Sequence, residues 1–297
     1  MNFDQNQLAA LTSVLRLGSF EAAAQELSVT PSAVSQRIKA LEERAGGVLV
    51  HRTTPCRGTK SGRRLAKLAD DLNLLQGQAA KDLALVPSQS SGATVIRVAV
   101  NADSLATWFI DAMATVPEFL FDIVIDDQDH SADWLRRGEV SAAVTAHGTP
   151  VTGCDAFRLG TMQYTATASP RYVAHWFPEG CNTEALAQAP CITFNQKDAL
   201  QRRWLDKAAG SYVSPPSHFL PSTQAFADAA KAGLGWGMNP VNLIQEELQN
   251  GDLVELKADS RLEVALEWQV SRIMAPALAK LTRAVLGCAR KHLSSHQ

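Results

Sequence analysis

The segment at 20–43, FEAAAQELSVTPSAVSQRIKALEE, constrains the fold of this chain more than any other stretch. Phe20, Ala23, Ala24 and Leu27 recur at i, i+3, i+4 and i+7, which sets one apolar stripe on a first helix. Ser28 and Val29 then make a turn. Thr30 has the side-chain oxygen that caps a following helix, and Pro31 falls at that helix's first position, where its missing N–H costs nothing. Val34, Ile38 and Leu41 face inward, so Ser32, Ser35, Gln36 and Lys39 share the opposite side. Two helices joined by a tight turn, the second presenting polar side chains, form a helix-turn-helix suited to a DNA major groove.

The flanking residues extend this reading. Leu8, Leu11, Val14 and Leu15 give an earlier helix ending near Gly18, and Gly46-Gly47 stops the helix after the turn. Val48-Leu49-Val50 reads as a short strand and 51–60 (HRTTPCRGTK) as a basic turn, the layout of a winged helix with Arg52 and Arg57 on the wing. Thr30, Pro31, Ser32 and Ala33 open the second helix against the DNA. Ser35 and Gln36 stand one turn in, where they reach base edges; a glutamine amide pairs well with adenine. Ser32, Arg37 and Lys39 are placed for phosphates and Arg52 for a minor groove. Charge agrees: residues 1–67 carry ten Lys/Arg against five Asp/Glu, net +5, whereas the remainder carries 18 against 25, net −7. A basic head on an acidic body implies that only the head meets a polyanion.

Beyond the head, 61–84 reads as one helix of roughly 36 Å. Leu65, Leu68, Leu72, Leu75, Ala79 and Leu83 repeat at steps of three and four, a narrow seam that fits pairing with another helix. Pro87-Ser88-Gln89-Ser90-Ser91-Gly92 is a linker by composition. Then the pattern alternates. Strands are expected at 95–100, 121–125, 141–145, 164–168, 191–194, 235–238 and 262–270, with helices at 104–116, 132–137, 198–208, 223–232, 241–249 and 276–292. Such alternation predicts an α/β body with mostly parallel sheets. The chain of 297 residues thus divides into a winged helix-turn-helix at 1–60, a linker helix and hinge at 61–87, and a body at 88–297.

Catalytic signatures are missing from the sequence. There is no GxSxG, HExxH or GxxxxGK[ST], and the seven histidines are dispersed. Gly233, Gly235 and Gly237 more simply ease a helix into a buried strand. No enzyme, cofactor or metal is expected. Five scattered cysteines without a CxxC pair suggest reduced thiols, and neither a leader peptide nor a membrane-length apolar run is visible, so a cytoplasmic location is expected. The body should still hold a ligand. The strand at 95–100 runs into Asp103 and Ser104 at a helix start, a place that favours an anion such as a carboxylate. The next strand ends at Asp126 and Asp127, with Asp129 close behind, which suits a cation. A basic amino acid satisfies both. Two other readings stay open: a catalytic α/β domain fused to a DNA-binding head, and an architectural DNA protein whose body only oligomerises.

Over its whole length the chain resembles the LysR-type transcriptional regulators. The 20–43 segment carries the resemblance in the head. NADSLATW at 101–108, the acids at 126–129 and LRRGEV at 135–140 make the body similar to the arginine- and lysine-responsive (ArgP/LysG) branch. His51 departs from the aromatic usual before the wing arginine. The resemblance implies a multidomain α+β fold: winged helix-turn-helix, long linker helix, and a two-lobed, periplasmic-binding-protein-like α/β effector domain. Lobe one would span about 94–165 plus 268–297, and lobe two about 166–267. It further implies a homodimer through the linker helix, assembled as a homotetramer on double-stranded DNA, with RNA polymerase as a possible partner. The effector, lysine, arginine or histidine, would meet Asp103, Ser104, Asp126 and Asp127 from lobe one and Phe194, Ser222 and Thr223 from lobe two. The regulated gene would be an exporter of basic amino acids; a LysR-type regulator with a different small-molecule effector is the alternative.

Overall fold

The computed structural model describes residues 3–84, 94–126, 131–146, 148–209 and 212–294. The expected linker at 87–92, Asp127 and Asp129 lie outside the described residues.

The head is three helices and a two-stranded wing. Asp4 caps α1 (Gln5–Leu17), and Gly18 closes it in the left-handed region at φ 70°. Ser19 caps α2 (Phe20–Glu26), and Ser28 turns the chain at φ 53°. Thr30 accepts from the Ala33 amide at 3.2 Å to start α3 (Pro31–Ala45), which ends at Gly46 with φ 72°. Leu8, Leu11, Val14, Val34, Ile38, Leu41 and Leu49 are buried together. Each such side chain contributes about 1.5–3 kcal/mol on leaving water, enough in sum to fix how α3 is presented. The wing is shorter and later than its sequence suggests. Its strands are β1 (Val50–His51) and β2 (Arg57–Gly58), paired antiparallel, whereas Val48 and Leu49 precede them. Glu42 explains this, because its carboxylate accepts from the Leu49 and Val50 amides and pins the entry to the wing.

The linker helix α4 (Lys60–Asp82) starts against the Leu49 carbonyl, where a Cβ on Gly62 would collide with that oxygen. Its leucine seam is divided. Leu65 and Leu72 pack on the head's core and Leu75 on the body's core, while Leu68, Ala79 and Leu83 face solvent. One face of a long helix therefore serves two bodies of its own chain, and only part of the seam is left for another helix.

The body contains β3 (Thr94–Val100), α5 (Ala102–Ser104), a π-type turn at Leu105–Phe109, α6 (Ile110–Ala114), β4 (Phe119–Ile125), α7 (Ser131–Arg136) and β5 (Ala142–Ala146). The long β6 (Cys154–Ala168) follows, then α8 (Pro170–Trp176), α9 (Thr183–Gln188), β7 (Cys191–Thr193), α10 (Leu200–Ala209) and β8 (Ser217–Phe219). Last come α11 (Thr223–Lys231), β9 (Gly237–Pro240), α12 (Gln245–Asn250), β10 (Val254–Glu255), β11 (Leu262–Ser271) and α13 (Ala279–His292). The main sheet runs β10-β6-β11-β5-β3-β4, with β9 on β6, and β7 pairs β8 separately.

This sheet is mixed, not mostly parallel. Only β3 with β4 and β3 with β5 run parallel within it; β11 returns antiparallel between β5 and β6, and β9 and β10 also oppose β6. The reason lies in β6 and β11, two long strands that run between the lobes and join them edge to edge instead of through a crossover helix. A register shift at Leu266/Glu267, opposite Gly160 with its φ of 125°, bends the pair where they pass from one lobe to the other. The carboxyl ends of β3 and β4 and the amino end of α11 open on the same crevice.

Recognition helix and inter-lobe cleft

The structure leaves one side of α3 to solvent. Thr30, Pro31, Ser32, Gln36 and Lys39 are exposed, Ala33, Ser35 and Arg37 half-buried, and Val34, Ile38 and Leu41 wholly buried beneath them. Lys39 lies 3.9 Å from Glu43, the outer limit of an ion pair. On the wing, Arg52 is exposed and its guanidinium sits 5.0 Å over the Phe20 ring, which holds the arginine beside the start of α2. Arg57 is exposed as well, but on the rim of a second space between head and body.

That second space, about 500 Å³, is walled by Arg16, Arg57, Arg63, Lys67 and Arg97 together with Asp70, Asp71 and Asp122. Two polar joints tie α4 to the body. Arg64 donates to the carbonyls of Arg137 and Gly138. Lys67 pairs with Asp71 and lies 3.3 Å from Ser141, whose hydroxyl donates to Asp71 at 3.0 Å. Burial, and then the neighbouring Asp71, push the Asp70 carboxyl up to about 7; Asp122 adds to this and Lys67 and Arg16 oppose it.

Between the lobes lies a narrower cavity of about 40 Å³, walled by Asn101, Ala102, Asp103, Asp126, Phe194, Asp198, Leu200, Thr223, Phe226, Met238, Asn239 and Pro240. Asp103, which follows β3, is held from two sides. Tyr164 of β6 donates to its Oδ2 at 2.8 Å, and Thr223 at the start of α11 donates to its Oδ1 at 2.9 Å, a bond from lobe to lobe. Asp126, one residue past β4, accepts from the Trp134 indole at 2.8 Å. Gly237 sits against the Phe226 ring, where a Cβ would overlap it, so the glycine sets the depth of that apolar wall.

Of the residues expected here from sequence, Asp103, Asp126, Phe194 and Thr223 come together in the cavity. Ser104 and Ser222 do not line it. Ser104 is fully buried behind Asp103, and Ser222 is exposed and caps α11 through the Ala225 amide. Successive residues entering a helix point about 100° apart, so neighbouring polar side chains at a helix start face different ways. Three polar wall residues were not anticipated: Asn101, Asp198 and Asn239. Asp198 accepts from the Phe194 and Leu200 amides at 3.0 Å each, fixing the loop into α10. Asn239 is wholly buried and donates to Thr167 at 3.0 Å. The expected start of a helix at 198 was the available signal for Asp198; Asn239 had only its place after a glycine-flanked strand.

All five cysteines are free. Among the described residues no helix is long and apolar enough to cross a membrane. Nor do they contain a group of three or more His, Cys, Asp or Glu able to hold a metal ion.

Comparison with known proteins adds to this geometry. Residues 5–63 match the bacterial regulatory helix-turn-helix protein, lysR family, and residues 90–289 match the LysR substrate binding domain. The chain is 44% identical over 286 residues to the HTH-type transcriptional regulator LysG of Mycobacterium tuberculosis, covering 96% of this chain and 93% of that protein. It is 37% identical over 290 residues to the lysine export transcriptional regulatory protein LysG of Corynebacterium efficiens, covering 96% and 98%. Its fold is similar to the crystal structure of ArgP from Mycobacterium tuberculosis, with a TM-score of 0.76, 42% identity and coverage of 99% and 100%. It is also similar to full-length LysG from Corynebacterium glutamicum with the effector Arg bound, with a TM-score of 0.63, 35% identity and coverage of 98% and 99%.

Proposed function

The chain belongs to the LysR family of bacterial transcriptional regulators, and on that premise we propose that it senses a basic amino acid between its lobes and answers by changing how it holds DNA. One observation carries the ligand assignment. Three carboxylates, Asp103, Asp126 and Asp198, wall the cavity, and among the described wall residues there is no lysine or arginine. A cation entering this low-dielectric space is favoured far more than in water, whereas a second anion would be repelled. The start of α11, with Thr223 beside it, is the natural seat for the ligand's own carboxylate. The regulator with bound Arg and the lysine export regulator cited above support the same ligand class.

The size of the cavity says how such a ligand acts. About 40 Å³ is room for a few waters, not for an amino acid. The lobes must therefore part to admit it, and the bond from Thr223 to Asp103 must yield, leaving Asp103 to the ligand's cation. A ligand moves the equilibrium between lobe arrangements only by its differential affinity for them, and this exchange at Asp103 is one source of that difference.

The exposed face of α3 is the DNA-reading surface in this proposal, with Ser35 and Gln36 on base edges, Ser32, Arg37 and Lys39 on phosphates, and Arg52 at a minor groove. A homodimer would form through the solvent-facing part of the α4 seam, Leu68, Ala79 and Leu83, and two dimers would span an interrupted inverted repeat near an exporter gene in the cytoplasm. RNA polymerase is the partner such a regulator would meet there. Calorimetry with lysine, arginine and histidine tests the effector assignment. Binding of at least one with a micromolar to millimolar constant supports it, and no heat from any of them at millimolar concentration refutes it.

A further inference from the structure

Asp126 is joined to the linker helix by a short run of contacts. It accepts the Trp134 indole N–H at 2.8 Å. The Trp134 ring carries the Arg137 guanidinium 4.6 Å from its centroid on one hand and that of Arg97 at 5.9 Å on the other. The Trp134 carbonyl accepts from the Glu139 amide at 2.9 Å, which closes α7 into a tight turn at Gly138 with φ 60°. The outward carbonyls of that turn, those of Arg137 and Gly138, are the ones that hold Arg64 of α4. The Arg64 guanidinium lies directly against this turn, in the space that a Cβ on Gly138 would take.

We infer that Trp134 is the positioning residue that carries the state of the inter-lobe cleft to the linker helix, through its indole N–H on Asp126 and the turn that grips Arg64. The inference rests on the effector reading above and adds the route by which that site is heard. An N–H on a carboxylate is directional and charge-assisted. A cation drawn to Asp126 competes for the same oxygens, so the indole must rotate or lengthen its bond. Because the ring is faced by two guanidiniums and its backbone closes the 134–139 turn, that movement reaches the two carbonyls on Arg64. The second joint, Lys67 with Asp71 and Ser141, meets this run through the backbone, where the Ser141 amide donates to the Arg97 carbonyl at 2.9 Å, and serves as the pivot. Trp134 and Arg64 thus supply a contiguous run of contacts between the two sites, and the ligand-bound state is where the run takes its second position.

The test uses the full-length protein, its operator DNA, and lysine or arginine, whichever the unaltered protein binds. Trp134→Phe keeps the ring and removes the N–H. It should bind ligand within about threefold of the unaltered protein and bind DNA equally without ligand, yet lose a ligand-dependent change in DNA affinity of about tenfold. Arg64→Ala, at an exposed position, should uncouple in the same way, and it decides the question if Trp134→Phe does not fold. In nitrogen-15 spectra, the indole resonance that vanishes in Trp134→Phe should shift when ligand is added to the unaltered protein. A full ligand response in both variants overturns the relay. So does a hundredfold loss of ligand affinity in Trp134→Phe, which would make Trp134 part of the binding wall. If the unaltered protein binds neither amino acid, the effector reading falls first, and that outcome is distinct from both.

Discussion

The recognition helix and the inter-lobe cleft both offer polar groups to a partner, but they are built in opposite ways. On α3 the whole offering lies within ten consecutive residues, 30–39, stands in solvent, and is kept rigid from below by Val34, Ile38 and Leu41. In the cleft the groups come from positions as far apart as Asn101 and Pro240, and Asp103, Asp126 and Asp198 already accept hydrogen bonds at 2.8–3.0 Å. An exposed, preformed face suits a large polyanion that arrives with its own counterions and is screened by salt. An enclosed, self-bonded site suits a small cation that must displace something, which is how binding becomes a signal.

Asp103→Ala should separate the two regions most sharply. It removes both a charge and the lobe-to-lobe bond, so ligand affinity measured by calorimetry should fall by about 2–4 kcal/mol, the usual loss when one member of a buried charged pair is truncated. DNA affinity without ligand should stay unchanged; an equal loss there would mean that the regions are not separable. The complementary change, Gln36→Ala, should weaken operator binding by about 1–3 kcal/mol and leave random DNA untouched. Equal weakening on both, in an anisotropy titration, would reduce Gln36 to a phosphate contact.

Asp70 tests the joint between the two regions. Its carboxyl is raised to about 7 from 3.8, so the folded chain holds this proton where the unfolded chain has released it. The group therefore costs nothing below pH 3.8, and its penalty grows as pH rises toward 7 and stays constant above that. Asp70→Asn should raise stability at pH 8 by about 1–2 kcal/mol, solvent at its rim screening the rest, and should flatten the melting temperature between pH 5 and 7. A variant no more stable at pH 8 than at pH 5, relative to the unaltered protein, would refute this. The smallest effect is expected from Thr30→Ala. Losing the cap on α3 should cost about 1 kcal/mol of head stability in thermal melts, and no change would show that Pro31 alone starts the helix.

The same contrast decides how much was readable beforehand. The α3 face needed only caps, a turn and a 3.6-residue period, all local, and the residues from Thr30 to Lys39 sit as their spacing implies. Four cleft residues, Asp103, Asp126, Phe194 and Thr223, were readable because strand ends and helix starts are local signals too. Which of two adjacent polar side chains faces the cavity was not readable, since that depends on how a helix is rotated against its neighbour; hence Ser104 and Ser222 turn elsewhere. Asn239 belongs to the cleft only because β9 pairs with β6, a contact between residues some 70 positions apart. The sheet's mixed polarity was hidden for a related reason. Gly160 interrupts β6 with a bulge, so the first half of that strand lost its apolar alternation and the antiparallel return of β11 went unseen. The leucine seam of α4 had the right period, but period alone does not say whether the partner is another chain or the same one.

The most direct measurement is an anisotropy titration of the purified protein onto DNA upstream of a basic amino-acid exporter gene, at physiological salt, with and without lysine and arginine. The expected result is a preference over random DNA of about a thousandfold or more, with an affinity or footprint that changes when one of the two amino acids is added. Binding that ignores sequence, or a sequence preference that neither amino acid alters, would contradict it.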